Sequence, residues 1–156
     1  MKSKVYIETS IPSYLTAWRS RDIVIAGNQE TTKDWWTRRN DFELFVSVFV
    51  LEEVSAGDAE AAKLRMQALD GIAEIEMTEE VEMIAEQLLS QVPLPSKAKV
   101  DALHIAMATI GGMDYLLTWN CTHIANPALR VKIESVIRAE GYEPPVICTP
   151  QELLEV

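Results

Sequence analysis

Acidic and amide side chains stand in this chain where apolar runs stop. Glu8 ends the run KVYI, Glu52 and Glu53 follow ELFVS and a short apolar stretch, Asp101 opens VDALHIAMA, and Asn120 follows YLLTW. Gathered in one place, such groups form an oxygen-ligand site for a hard divalent cation, magnesium or manganese. Two such ions about 4 Å apart can activate a water and stabilise the leaving oxygen of a phosphodiester. That chemistry needs several acids converging from different elements.

Each position also has a structural reading. Asp101, in the first turn of a helix, suits the positive end of the helix dipole without any ligand. Glu52 and Glu53 read as a solvated helix face, and their positions alone do not choose between them. Asn120 suits a tight turn. Glu8 is the hardest to explain structurally, because it directly ends a strand with a buried pattern. His104 is one turn from Asp101 and shares its face, a placement equally suited to a buried histidine tied to an acid. His123, in a later polar segment, reads as structural or as support for a ligand. Trp35 and Trp36 read as core or subunit-interface residues, with base stacking as the alternative. Trp119, beside Asn120, is better placed to touch a substrate.

The elements that would position these groups alternate along the chain. Lys4–Ile7 reads as a first strand, and Thr9 with Pro12 supplies a hydroxyl cap and a first-turn proline for a helix. A helix over 23–39 and a strand over 43–47, buried on both faces, come next. A helix opening at 48–55 stops at Gly57, and Asp58 caps another over 59–69. Residues 72–77 form a third strand. Thr78-Glu79-Glu80 opens a helix whose Val81, Ile84, Ala85 and Leu88 make an apolar stripe. Pro93 and Pro95 break the chain before a strong helix over 97–110, which Gly111-Gly112 ends. A fourth strand over 115–118, a helix over 127–140, a short strand near Val146-Ile147 and a final turn over 150–154 complete the series. Strand and helix in alternation predict a parallel sheet with helices on both faces. In such a sheet ligands bind at the carboxyl ends of the strands.

At 156 residues the chain fits a single α/β domain, 1–156. A hydrophobic share of 48% supports a sizeable core. No apolar stretch approaches the ~20 residues that span a bilayer, and the opening MKSKVYIETS lacks the apolar core of a signal peptide, so the expected setting is cytoplasmic with no membrane partner. Cys121 and Cys148 have neither the number nor the spacing of a disulfide framework or a zinc site. The net charge of −10 argues against binding nucleic acid through a basic surface. It leaves room for a site where metal ions neutralise phosphate locally, and it suits a basic partner protein.

Taken in order, the segments resemble the PIN-domain family, and within it the toxin ribonucleases of VapC type from toxin–antitoxin pairs. The resemblance spans nearly the whole chain. IETS at 7–10 matches a strand-ending acid followed by a hydroxyl residue. SVFVLEEV at 47–54 matches a serine, an apolar run and a glutamate before a small apolar residue, which selects Glu53 over Glu52. VDALHIAMA at 100–108 matches the acid-bearing helix and assigns Asp101, and LLTWN at 116–120 matches the strand, threonine and final acidic position, which assigns Asn120.

The resemblance implies a PIN-like domain with a central parallel sheet flanked by helices, endoribonuclease activity dependent on Mg2+ or Mn2+, dimerisation, and a small antitoxin partner. It implies that Glu8, Glu53 and Asp101 hold the cation and that Asn120 orients a water or a phosphate oxygen. Thr9 and Ser10 then support the first ligand by hydrogen bonds, and His104, Thr118 and Trp119 support the site or meet the RNA substrate. Two positions depart from the family pattern. Glu8 replaces the usual Asp and reaches about 1.5 Å further, and Asn120 offers a carbonyl oxygen without charge. Three carboxylates then suit one tightly held cation plus a second recruited with the phosphate. The competing expectation is a catalytically weak PIN-like module that binds RNA or a partner protein. A Rossmann-type nucleotide binder is a poor third reading, since no glycine-rich turn follows the first strand.

Overall fold

In the computed structural model, which describes residues 1–95 and 98–155, KVYI forms β1 (Lys4–Ile7) and occupies the middle of the sheet. Val5, Tyr6 and Ile7 have no exposed surface, as expected of a strand covered on both faces. The chain continues through α1 (Ser10–Thr16), α2 (Ile23–Thr37), a 3₁₀ turn (Arg39–Asp41), β2 (Glu43–Val46), α3 (Val48–Val54), α4 (Ala59–Ala68) and β3 (Ala73–Glu74). It then forms α5 (Glu79–Gln91), α6 (Lys99–Ile110), β4 (Tyr115–Leu117), α7 (Pro127–Ala139), β5 (Val146–Cys148) and α8 (Pro150–Leu154).

All strand pairs are parallel, in the order β3-β2-β1-β4-β5. β1 pairs Tyr6 with Phe45 on one side and Ile7 with Leu117 on the other. The order therefore reverses at β1: the chain builds outward to β3, then returns to place β4 on the free side of β1. Beyond the carboxyl ends of β1 and β4 the connections diverge, which opens the crevice where such sheets bind ligands.

The helix that carries Asp101 and His104, α6, packs against α3 and β4. Its residues Ala102 to Thr109 are all buried, a helix apolar nearly all round and therefore interior. It packs against α5, whose stripe Val81, Ile84, Ala85 and Leu88 is buried as the helical spacing requires. Val81, Ile84 and Leu88 each contribute roughly 1.5–3 kcal/mol of burial energy. Gly111 lets the exit of α6 lie close to the loop after β3, since a Cβ there would stand 2.9 Å from Ile75 Cδ1. Gly112 then turns with φ +70, the left-handed conformation expected past a helix end.

Several local expectations change. The long second helix ends at Thr37, and residues 39–41 tighten into the 3₁₀ turn. β2 is not buried on both faces: Glu43 is exposed and Leu44 and Phe45 are half-buried, because β3 is two residues long and pairs only with Phe45 and Val46. Thr118 lies one residue beyond β4, and Lys97, expected to open α6, lies outside the described residues. Thr9 precedes α1 but its hydroxyl makes no cap bond; it is turned to Glu53 instead. Asp58 caps α4 as expected, accepting from the Ala61 N–H. Trp35 is fully buried and stacks on Phe42, a core residue rather than a base-stacking one.

Candidate active site

Glu8 is the first residue past β1, and its backbone N–H donates to Leu117 O at 3.1 Å, which pins it between the ends of β1 and β4. The side chain is 5% exposed. A carboxylate so buried needs donors, and three converge on Oε1: Ser10 Oγ at 2.5 Å, the Ser10 N–H at 3.1 Å and Thr118 Oγ1 at 2.6 Å. All three of these bonds fall on Oε1 and none on Oε2. Ser10 Oγ also accepts from the Trp119 N–H at 2.8 Å, so residues from both strand ends fix this carboxylate.

Glu53, on α3, meets Glu8 from the β2 side. Its Oε1 accepts from Thr9 Oγ1 at 2.5 Å and from His104 Nε2 at 2.6 Å. Burial pushes the Glu53 carboxyl up, but the hydrogen bonds from His104 and Thr9, with the nearby His104 ring, outweigh it and hold the group below its ordinary range. Glu53 therefore enters the site ionised. Glu53 keeps 39% of its side chain exposed, and its neighbour Glu52, also exposed, takes no part in these bonds.

His104 is wholly buried on α6. Its Nδ1 lies 2.7 Å from Tyr6 Oη, which in turn lies 2.7 Å from Ser47 Oγ. Burial drives the Tyr6 phenol far above its ordinary value, with the Glu8 and Glu53 charges adding to it and the Ser47 hydrogen bond opposing, so Tyr6 stays a neutral O–H. Ser47, Tyr6, His104 and Glu53 thus form one hydrogen-bonded chain from the end of β2, through β1 and α6, to α3. One carboxylate oxygen each of Glu8 and Glu53, together with a His104 ring nitrogen, lie within 4.8 Å of one another.

Asp101 belongs to a second cluster. Its Oδ1 accepts from Asn120 Nδ2 at 3.1 Å and its Oδ2 pairs with His123 Nδ1 at 2.6 Å. Asn120 Oδ1 accepts from the His123 N–H at 3.1 Å, so the loop after β4 folds over Asp101 from two sides. Thr118 Oγ1 joins the clusters, accepting from the Asn120 N–H at 2.9 Å while donating to Glu8. The structure therefore brings Glu8, Glu53 and His104 together and connects Asp101 and Asn120 to them through Thr118. Trp119 is engaged internally: its Nε1–H donates to Thr32 Oγ1 at 2.8 Å and its ring stacks on Tyr14 at 5.8 Å.

Tyr6 and Ser47 were not singled out for chemistry by the sequence. For Tyr6 the available signal is that a tyrosine inside a central strand needs a partner for its hydroxyl; Ser47 opens the matched segment SVFVLEEV without a chemical role assigned to it. The donor set suits a divalent cation: two carboxylates and an imidazole nitrogen at mutual distances that a single ion can bridge, with Asp101 adjoining through Thr118.

Comparison with known proteins agrees with this architecture. The PIN domain family pattern matches residues 5–120. The fold is similar to that of Mycobacterium tuberculosis VapC20, described as a sarcin-ricin loop cleaving toxin, at 16% identity and a TM-score of 0.57, covering 88% of this chain and 95% of the other. It is also similar to a chain of Rickettsia felis VapBC2 bound to a DNA fragment from their promoter, at 12% identity and a TM-score of 0.53, covering 94% and 98%. Comparison with curated protein sequences gives no significant match. The match over residues 5–120, on a parallel sheet that gathers its acids at the strand ends, makes this chain a member of the PIN-domain family, with the fold of the VapC structures.

Proposed function

We infer that the chain is an endoribonuclease toxin of VapC type that hydrolyses RNA phosphodiester bonds with the help of Mg2+ or Mn2+. The observation that carries this reading is the meeting of Glu8, Glu53 and His104 within 4.8 Å at the strand ends of a PIN domain. The similar folds of VapC20, described as a sarcin-ricin loop cleaving toxin, and of VapBC2 support the toxin class and a small antitoxin partner. A homodimer in the cytoplasm belongs to the same reading. Among the described residues no helix is long and apolar enough to cross a membrane.

Glu8 and Glu53 would hold the cation, with Asp101 as the third acid, directly or through water. A divalent ion there supplies Lewis acidity toward a phosphoryl oxygen and acidifies an attacking water. The protein's own part is positional. Thr118 and Ser10 fix Glu8 through Oε1, and Thr9 and His104 keep Glu53 ionised. Asn120 holds Asp101 through its amide N–H and the loop through its carbonyl, so it orients the third acid more than it replaces a fourth. Trp119 and Tyr14 shape the wall beside Ser10.

A second reading, a catalytically weak module that binds RNA or a partner protein, is favoured by one observation. Asn120 and His123 between them occupy both oxygens of Asp101. Cleavage of a pool of structured and single-stranded RNA separates the two readings. Wild type should cut with manganese and stop with chelator, and Asp101→Asn should lose at least 100-fold. Equal activity of wild type and Asp101→Asn sinks the nuclease assignment.

A further inference from the structure

The geometry points to His104 as a direct ligand of the cation through Nε2, giving the site a preference for transition-series ions such as Mn2+ over Mg2+. This rests on the functional reading in one respect, that a divalent cation binds between Glu8 and Glu53. The third atom of that group is nitrogen: His104 Nε2 faces Glu53 Oε1 at 2.6 Å, and Asp101 is not a member of the group. The oxygens of Asp101 are held by Asn120 and His123. The donor set at the Glu8–Glu53 position is therefore mixed, not all oxygen.

His104 is also anchored in the way a ligand ring requires. At 2.6 Å two bare acceptors repel, so a proton lies between Nε2 and Glu53 Oε1. A cation seated against Glu53 and Nε2 would take the place of that proton, and the ring would then carry a proton on Nδ1. Tyr6 Oη, 2.7 Å away, accepts it by turning its own O–H to Ser47 Oγ, also at 2.7 Å. Each member of the chain keeps a partner in both arrangements. Ligating imidazoles usually donate their second N–H to a fixed acceptor, and Tyr6 and Ser47 have no exposed surface and no freedom to leave. Imidazole nitrogen suits transition ions, whereas Mg2+ favours oxygen and retains its waters.

Two measurements on the full chain, freed of metal and given Mn2+ alone, test this. Pulsed electron paramagnetic resonance of bound Mn2+ should show the 14N coupling of a ligated imidazole in wild type. Titration of the free Mn2+ signal, with Mg2+ as competitor, should show His104→Gln weakening Mn2+ binding by roughly tenfold or more and Mg2+ binding by much less, and Tyr6→Phe weakening Mn2+ by about tenfold. Bound Mn2+ without 14N coupling in wild type overturns the inference whatever the variants do. If that binding still depends on Glu8, the nuclease reading survives with an all-oxygen site. Absence of any Mn2+ uptake overturns both.

Discussion

The hydroxyl of Thr118 donates to Glu8 Oε1 at 2.6 Å across 110 positions of sequence, joining the ends of β4 and β1 where the strand order reverses. Thr118 Oγ1 in turn accepts from the Asn120 N–H at 2.9 Å. One buried threonine thus decides both where the first acid points and where the loop that covers Asp101 begins. A serine could supply the oxygen, but a β-branched residue is held to few rotamers and keeps it in place.

Thr118→Val keeps the shape and removes the hydroxyl. It leaves a buried carboxylate short of one donor and the Asn120 N–H without its acceptor, for a cost of about 1–3 kcal/mol. Urea unfolding should show that loss with an unchanged slope, and RNA cleavage should fall by roughly tenfold as Glu8 loosens. Full activity in a variant of wild-type stability would remove Thr118 from the site.

Tyr6→Phe deletes the oxygen that links Ser47 to His104 and strands two polar atoms with no exposed surface around them. The expected cost is about 1–3 kcal/mol. Because the two partners share that hydroxyl, Ser47→Ala in the Tyr6→Phe background should cost clearly less than in wild type, a non-additivity of roughly 0.5–3 kcal/mol. Strict additivity in a double-mutant cycle would mean that the chain of bonds does not act as a unit.

What the sequence made legible follows from how local each signal is. KVYI ending at Glu8 and the strong helix opening near Asp101 are visible because an apolar run and its polar stop are adjacent. The Tyr6 bonds span 41 and 98 positions, and nothing near Tyr6, Ser47 or His104 announces them. His104 and Asp101 stand on neighbouring turns of α6, but they serve different clusters: Asp101 bonds the loop after β4, and His104 bonds Tyr6 of β1. Glu53 could be told from Glu52 only by resemblance, since which of two adjacent glutamates points inward depends on how α3 packs. The shortness of β3 was hidden because edge pairing is set by the neighbouring strand and by Ile75 packing on Gly111, not by propensity.

The two cysteines should behave differently. Cys121 is exposed, whereas burial pushes the Cys148 thiol up to about 12, with the Glu152 charge adding and Arg130 opposing. In the folded protein a thiol reagent should label Cys121 promptly and Cys148 only on unfolding. The raised folded value also fixes a sign. Unfolded, the thiol ionises near 8.5 or so; above that pH the unfolded chain binds fewer protons than the folded one. The contribution of Cys148 is thus complete below the unfolded value and is lost as pH rises toward the folded one. Wild type should lose stability relative to Cys148→Ala as urea midpoints are followed upward from pH 8, and parallel curves would contradict the burial argument.

Metal binding should appear as stability. A cation that binds only the folded state at about 100 times its dissociation constant adds about 2.7 kcal/mol, roughly 5–11 °C in melting temperature for a chain of this size. Glu8→Gln separates the structural from the ligating role of that side chain. Its amide oxygen can still accept from Ser10 and Thr118, so the metal-free variant should melt within a few degrees of metal-free wild type, while the increase on adding Mn2+ should vanish. Glu8→Asp keeps the charge but withdraws it by about 1.5 Å, away from Glu53 and from its own donors, and should recover only part of the shift. A full Mn2+ shift in Glu8→Gln would place the cation elsewhere. A full shift in Glu8→Asp would show that the extra methylene of this chain is tolerated, not required, at a position the β1–β4 junction holds fixed.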